Sequence, residues 1–127
     1  MNNISFKKFI PGIAWFFLVL ILICTPGQDL PEVDTWLQQL FIDKIIHLML
    51  FGILAYLFMY PFKKSTLNKK EKLQYFLRIA IAVSIWGITT EFIQKFYIPN
   101  RSFDLYDWIA DSVGALIPSI IFRKKVQ

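Results

Sequence analysis

Four long apolar stretches dominate this chain of 127 residues. They cover approximately residues 9–24, 45–62, 75–93 and 103–122, and the first of them contains no charged residue. A helix needs about 20 mostly apolar residues to cross a bilayer, so each stretch has roughly the length of one membrane span. We therefore predict an all-α membrane protein, with residues 1–127 forming a single domain of four transmembrane helices.

The composition excludes the other broad classes. Hydrophobic residues make up 56% of the chain and charged residues only 18%. A soluble domain of this size has too little interior to bury so much apolar side chain, and a disordered chain would be far more polar. The single cysteine, Cys24, excludes an internal disulfide framework.

The first apolar stretch also has one property of a signal peptide, because Lys7 and Lys8 precede it. Cleavage normally requires small residues at the end of the apolar run. Leu22, Ile23 and Cys24 occupy that region instead. We expect the stretch to be retained as the first span.

The charges separate into two groups when the segments between spans are taken alternately. The N-terminal tail, the second connection with the start of the third span, and the C-terminal tail together hold eleven cations and one acid. The remaining segments hold three cations and eight acids. Since cations collect on the cytoplasmic side, we predict a multi-pass membrane protein with both termini in the cytoplasm. Its lysines are expected to contact anionic membrane lipids, and no nucleic-acid partner is predicted despite the net charge of +5.

The connection between the first two spans carries an amphipathic pattern. Pro31 suits a first helical position, and Val33, Trp36, Leu37, Leu40 and Phe41 recur at helical spacing. This pattern predicts a short amphipathic helix lying in the outer interface. An ordinary loop packed on the bundle is the alternative.

Spans two and four are predicted to run from outside to inside and span three in the opposite direction, so the polar residues of all three are expected to meet at the outer end. Ionisable groups in a span are costly, so each is expected to have a specific role. Lys44 and His47 share a helix face, as do Glu91 and Gln94. Gly52, Gly87 and Gly114 would let the helix backbones approach closely. The candidate ligand-binding residues are Lys44, His47, Glu91, Gln94, Arg101, Asp107 and Asp111.

These segments resemble the VanZ-like family of small bacterial membrane proteins, over approximately residues 43–122. The resemblance lies in DKIIHLMLFGILAYL, GITTEFIQKF and PNRSFDLYDWIADSVGAL. They carry a K-x-x-H pair, an E-x-x-Q pair, and an arginine six residues before an aspartate. Asp111 departs from the family pattern, which usually has asparagine there. The resemblance implies a cell-envelope protein of the bacterial plasma (inner) membrane, in a family named after a teicoplanin (glycopeptide antibiotic) resistance determinant.

Three functions are compatible with these residues. In the first, an outward-facing polar pocket binds a lipid headgroup or cell-wall precursor, with Lys44 and Arg101 on its anionic part. The second is a membrane enzyme acting by acid–base chemistry on a lipid headgroup, with His47, Glu91 and Asp107 as catalytic candidates. No established catalytic signature supports that alternative. The third is a small transporter or ion path.

Structural roles remain open for the same residues. His47 suits a hydrogen-bonded strut between helices, Glu91 and Gln94 an interhelical clamp, and Asp104 the start of the last helix. Oxygen atoms of Glu91, Asp107 and Asp111 suit a divalent cation, but nothing in the sequence requires one. One histidine and one cysteine make zinc a poorer fit. We predict no metal and no cofactor.

Overall fold

The structure, a computed structural model, describes residues 5–23, 36–98 and 105–126. A short 3-10 helix at Phe6–Phe9 leads into four α-helices. These are α1 (Ile10–Ile23), α2 (Trp36–Lys63), α3 (Lys69–Tyr97) and α4 (Leu105–Val126). The described residues contain no strand, which confirms the all-α prediction.

Four helical segments are long and apolar enough to cross a membrane. They are Phe6–Ile23, Lys44–Lys63, Lys69–Tyr97 and Leu105–Lys124. The predicted spans fall within or close to these segments, and the chain is a multi-pass membrane protein. The third helix begins earlier than the apolar stretch because Asn68 caps it. The Asn68 side chain accepts from the Glu71 backbone N–H, and Glu71 accepts in return from the Asn68 N–H.

The predicted interfacial helix is not shown as a separate element. Its second half, residues 36–41, forms the first turns of α2, which continues unbroken to Lys63. Its first half, residues 31–35, lies outside the described residues. The placement of this segment in the membrane interface therefore stays a prediction.

Contacts between helices define the topology. Helices α2 and α4 are parallel neighbours, because residue numbers increase in the same direction along their contact. His47 contacts Asp111, and the later residue Tyr56 contacts the later residue Phe122. Helix α3 runs antiparallel to α4. Phe76, early in α3, contacts Phe122, late in α4, whereas Ser84, further along α3, contacts Ser112, which lies earlier in α4. Helix α1 packs antiparallel on α2, where the Trp15 indole N–H donates to the Leu50 carbonyl.

Two glycines allow α2 and α4 to approach closely. A Cβ atom on Gly52 would lie 3.1 Å from the carbonyl oxygen of Gly114. A Cβ atom on Gly114 would overlap the carbonyl oxygen of Leu48. Small residues at helix contacts are typical of membrane bundles, in which close backbone packing replaces the hydrophobic driving force. The close approach expected at these glycines is confirmed.

The apolar core lies between the helices and comprises eleven buried side chains among the residues whose burial is described. They are Val19, Ile23, Phe51, Leu54, Ala55, Met59, Phe76, Ala80, Val83, Ala115 and Phe122. Large apolar residues such as Ile85 and Ile120 are exposed on the outer faces of the helices. In a membrane these faces contact lipid. The apolar core therefore holds the helices together, and the buried polar residues lie at one end of the bundle.

Candidate functional site

The buried polar residues gather at one end of the bundle. They lie early in α2, late in α3 and in the first two turns of α4, so the three helices meet there as the sequence predicts. We define the polar cluster as five ionisable residues of the described chain that contact or lie near one another at this end, Lys44, His47, Glu91, Asp107 and Asp111. Four of the five are buried, and Lys44 lies at the edge, with 20% of its side chain exposed.

Asp107 joins two members of α2. The Lys44 ammonium forms an ion pair with Asp107 Oδ1. The other carboxylate oxygen, Oδ2, lies 3.5 Å from His47 Nε2. Lys44 and His47 are one helical turn apart, so one carboxylate from α4 contacts both. The expected shared face of Lys44 and His47 is therefore the face that α4 covers.

His47 contacts a second carboxylate through its other ring nitrogen. The Nδ1 atom lies 2.8 Å from Asp111 Oδ1. A neutral imidazole donates from only one nitrogen, whereas an imidazolium donates from both. The ring also stacks on Phe51, with centroids 6.2 Å apart and planes inclined by 4°. Packing and hydrogen bonding together fix the orientation of this imidazole between two acids.

Glu91 and Asp111 are fully buried. A ligand-capable oxygen from each, and one nitrogen of His47, all lie within 4.8 Å of one another. Gly87 makes room for this arrangement, since a Cβ there would lie 3.0 Å from Asp111 Oδ2. Both acids make further interactions, yet Glu91 Oε1 and Asp111 Oδ2 accept no hydrogen bond from the described residues. Buried acceptors of this kind are often satisfied by water or an ion.

Gln94 lies apart from the cluster's ion pairs. It is buried, and its side-chain amide donates to the Ile23 carbonyl at 3.4 Å. That carbonyl is at the end of α1, where a helix lacks internal partners for its last carbonyl groups. Gln94 thus links α3 to α1, and a role in ligand binding stays a prediction.

Several sequence predictions concern residues outside the described part. Arg101, Asp104 and Cys24 lie there, as does the side chain of Trp36. The structure therefore gives no contact for Arg101, the predicted anion-binding residue. The outward-facing pocket, for which Trp36 and Arg101 form the expected rim, also stays a prediction.

Two serines beside the cluster were not singled out from the sequence. Ser84 Oγ and Ser112 Oγ lie 2.7 Å apart and join α3 to α4. The Trp108 indole N–H donates to the Ser84 carbonyl at 2.9 Å. A hydroxyl adds little to a hydropathy pattern, so neither serine stands out within its span. The sequence gives one indication of their position, because Ser84 lies three residues before Gly87 and Ser112 directly follows Asp111.

The described residues also form a groove far along α3 from the polar cluster. It is lined by Lys69, Lys70, Leu73, Gln74 and Leu77. This groove lies on the first turns of α3, on the side that carries the excess of cations. It shares no residue with the polar cluster and contains no carboxylate or histidine in its lining.

Comparison with known proteins identifies the family. The family model described as VanZ/LLP1 matches residues 3–125. No curated protein and no solved structure gives a significant match. The match spans all four described helices and every residue of the polar cluster. The chain therefore belongs to the VanZ/LLP1 family.

Proposed function

We propose that this protein binds the headgroup of an envelope lipid, or of a lipid-linked cell-wall precursor, through the polar cluster. The observation that carries the proposal is a cluster of five ionisable side chains from three helices, four of them buried, at one end of a membrane bundle. Ionisable groups in a span cost a few kcal/mol each by insertion scales. A protein that needed only stability would place apolar residues there.

The charge pattern supports an outward-facing position for the cluster. Eleven cations and one acid lie on the opposite side of the spans. Under the positive-inside rule that side is cytoplasmic, so the termini are inside and the cluster faces outward across the bacterial plasma membrane. Single cysteines at positions 29 and 124, in a Cys24→Ser background, test this orientation. An impermeant maleimide added to intact cells should label only position 29.

Lys44 and Arg101 supply the anion-binding charges. Lys44 is the least buried member of the cluster, so its ammonium can contact a ligand at the surface while it remains paired with Asp107. Arg101 precedes α4 and carries the planar guanidinium that binds phosphate or carboxylate in bidentate fashion. Buried His47, Glu91 and Asp107 provide acceptors and donors for hydroxyl or amine groups.

Lipid that co-purifies with the protein tests the proposal. The full chain is purified in mild detergent, and bound lipid is identified by mass spectrometry. We expect one anionic or lipid-linked species to be enriched in wild type and reduced several-fold in Lys44→Met and Arg101→Ala. Arg123→Ala, an exposed cation at the opposite end of α4, is the matched control and should retain the lipid. Lipid matching the bulk membrane, or equal loss in the control, contradicts the proposal.

An acid–base enzyme acting on the same headgroup is the second candidate. The specific observation in its favour is the placement of His47 between Asp111, at 2.8 Å, and Asp107, at 3.5 Å. A carboxylate that orients one imidazole nitrogen leaves the other to move a proton. In this case His47→Ala abolishes turnover of the co-purifying lipid without reducing its binding. Equal loss of both supports the binding function.

A transporter or ion path is the third candidate, and its support is weaker. The core beyond the cluster is lined by apolar side chains such as Leu54, Met59 and Phe122. A link to glycopeptide resistance rests on family membership alone. Expression in a susceptible bacterium, followed by measurement of the inhibitory concentration of teicoplanin, tests that link. Reconstituted vesicles test for ion flux.

A further inference from the structure

We propose that His47, Glu91 and Asp111 form a binding site for one divalent first-row transition-metal cation. The inference goes beyond lipid binding and does not depend on it. It departs from the sequence-based expectation of no metal, because only the folded bundle brings the histidine of α2 to the carboxylates of α3 and α4.

The geometry suits an ion shared by three helices. One ligand-capable atom from each of the three residues lies within 4.8 Å of the other two. A first-row cation lies about 2.0–2.2 Å from its nitrogen and oxygen ligands, so the side chains need only close in around it. All three are at least nine-tenths buried, with exposures of 5% for His47 and 0% for the two acids.

The donor set selects the class of ion. Imidazole nitrogen suits zinc, iron, copper and nickel, whereas carboxylate oxygen alone suits magnesium, calcium and manganese. One nitrogen with two carboxylates therefore favours a borderline ion such as Zn²⁺ over Mg²⁺ or Ca²⁺. Three protein ligands also leave one tetrahedral position open, as in sites where a metal binds water or substrate.

The local charges support a divalent ion. Lys44 and Asp107 form a pair with no net charge. A metal binds imidazole and carboxylates in their unprotonated forms, in which His47 is neutral and Glu91 and Asp111 together carry two negative charges. One divalent cation matches these two charges.

Binding requires a rearrangement of one hydrogen bond. Nδ1 of His47 and Oδ1 of Asp111 lie 2.8 Å apart and share a hydrogen bond. A cation between these two atoms takes the place of the shared proton. A neutral imidazole then carries its one proton on Nε2, which faces Asp107 Oδ2 at 3.5 Å, so the step needs no net loss of a proton.

Zinc titration of the full chain tests the site. The tag-free protein is purified in detergent, stripped with a chelator, and titrated with Zn²⁺ by calorimetry. We expect one Zn²⁺ per chain and tighter binding than for Mg²⁺. Glu91→Gln and Asp111→Asn, which keep side-chain shape, should each weaken binding by more than about ten-fold.

Glu71→Gln is the matched control, because Glu71 is a carboxylate on the same helix as Glu91, at the opposite end of the bundle and outside the three proposed ligands. We expect its Zn²⁺ affinity to stay within about three-fold of wild type. Equal weakening in all three variants overturns the assignment and indicates general attraction to acidic side chains. Absence of stoichiometric binding to wild type overturns the proposal whatever the folding of the variants. Because no lipid is measured, that outcome leaves the lipid-binding proposal standing.

Discussion

Helices α2 and α4 lie parallel, and the two parts of their contact are built from different chemistry. Early in α2 and in the first two turns of α4, Lys44 and His47 meet Asp107 and Asp111 as ionisable groups. Further along, Gly52 meets Gly114.

Beyond the glycines, Tyr56 packs against Phe122, with ring centroids 5.2 Å apart and planes inclined by 36°. Lipid is as apolar as these side chains, so in the apolar core only close packing stabilises the bundle. The polar cluster contributes paired charges, whose stabilisation is offset by the cost of desolvation. The residues that stabilise the bundle and the residues that provide its chemistry therefore lie in different parts of the same helix pair.

The largest expected effect is at Asp111. Asp111→Leu removes the carboxylate 2.8 Å from His47 Nδ1 and leaves the buried imidazole with one acid in place of two. Removal of one partner from a buried pair costs about 3–5 kcal/mol. We expect a loss of that size in the free energy of unfolding, measured by titration with a denaturing detergent in mixed micelles.

The double variant His47→Leu/Asp111→Leu is the control for this prediction. Replacement of both partners by apolar residues is often neutral or stabilising. We expect the double variant to recover most of the stability while losing zinc and lipid binding. A single variant as stable as wild type would show that the cluster does not constrain the helix pair.

A substitution in the apolar core should lower the stability of the bundle without affecting zinc or lipid binding. Phe122 is 1% exposed and packs against Phe76 and Tyr56. Phe122→Ala leaves a cavity and should cost about 3 kcal/mol in the same unfolding titration. Zinc and lipid binding should be unchanged in the fraction that remains folded.

Leu116→Ala is the matched control for the core, because Leu116 lies on the same helix and is 46% exposed on its outer face. Its loss should have a much smaller effect on unfolding. If Phe122→Ala weakens zinc binding as strongly as Glu91→Gln does, the polar cluster and the apolar core do not act independently, and this prediction is wrong.

The glycine contact joins the two regions, and its effect should be intermediate. Gly114→Ala places a methyl group where the Leu48 carbonyl oxygen lies, so α2 and α4 must separate. Overpacking of this kind costs about 1–3 kcal/mol. We expect that loss in unfolding together with weaker zinc binding, since the separation also moves His47 from Asp111. Gly52→Ala, where the nearest atom is 3.1 Å away, should cost less.

Much of this architecture could be predicted from the sequence because its causes are local. Four apolar stretches set the helices, and the i, i+3 spacing placed Lys44 with His47 on one face. Small residues indicated close approach at Gly52 and Gly114. Successive spans run in alternating directions, and this alternation predicted that the polar residues of the last three spans meet at one end of the bundle.

The pairing within the cluster could not be predicted, because it depends on how the helices rotate and slide against one another. Spacing makes Asp107 and Asp111 equally good partners for His47. The backbone contact at Gly114 sets the register that gives Lys44 to Asp107 and Nδ1 of His47 to Asp111. The sequence also predicted Gln94 beside Glu91 in one site, whereas Gln94 bonds to the end of α1.

The smallest expected effect lies where the polar cluster borders the apolar core. Ser84 and Ser112 share a hydrogen bond of 2.7 Å, and the neighbouring residue Asp111 belongs to the cluster. Interhelical hydrogen bonds in membrane proteins contribute about 0.6 kcal/mol on average, because the separated helices find other partners. A double-mutant cycle with Ser84→Ala and Ser112→Ala should give a coupling of about that size.

Zinc affinity in the same four proteins decides what this bond does. If it only joins α3 to α4, affinity stays within about two-fold of wild type in every variant of the cycle. A loss that appears in both single variants and does not increase in the double variant would mean that the bond positions Asp111. The cluster would then extend into the span beyond its charged residues, and the boundary between the two regions would lie at Gly114 rather than at Asp111.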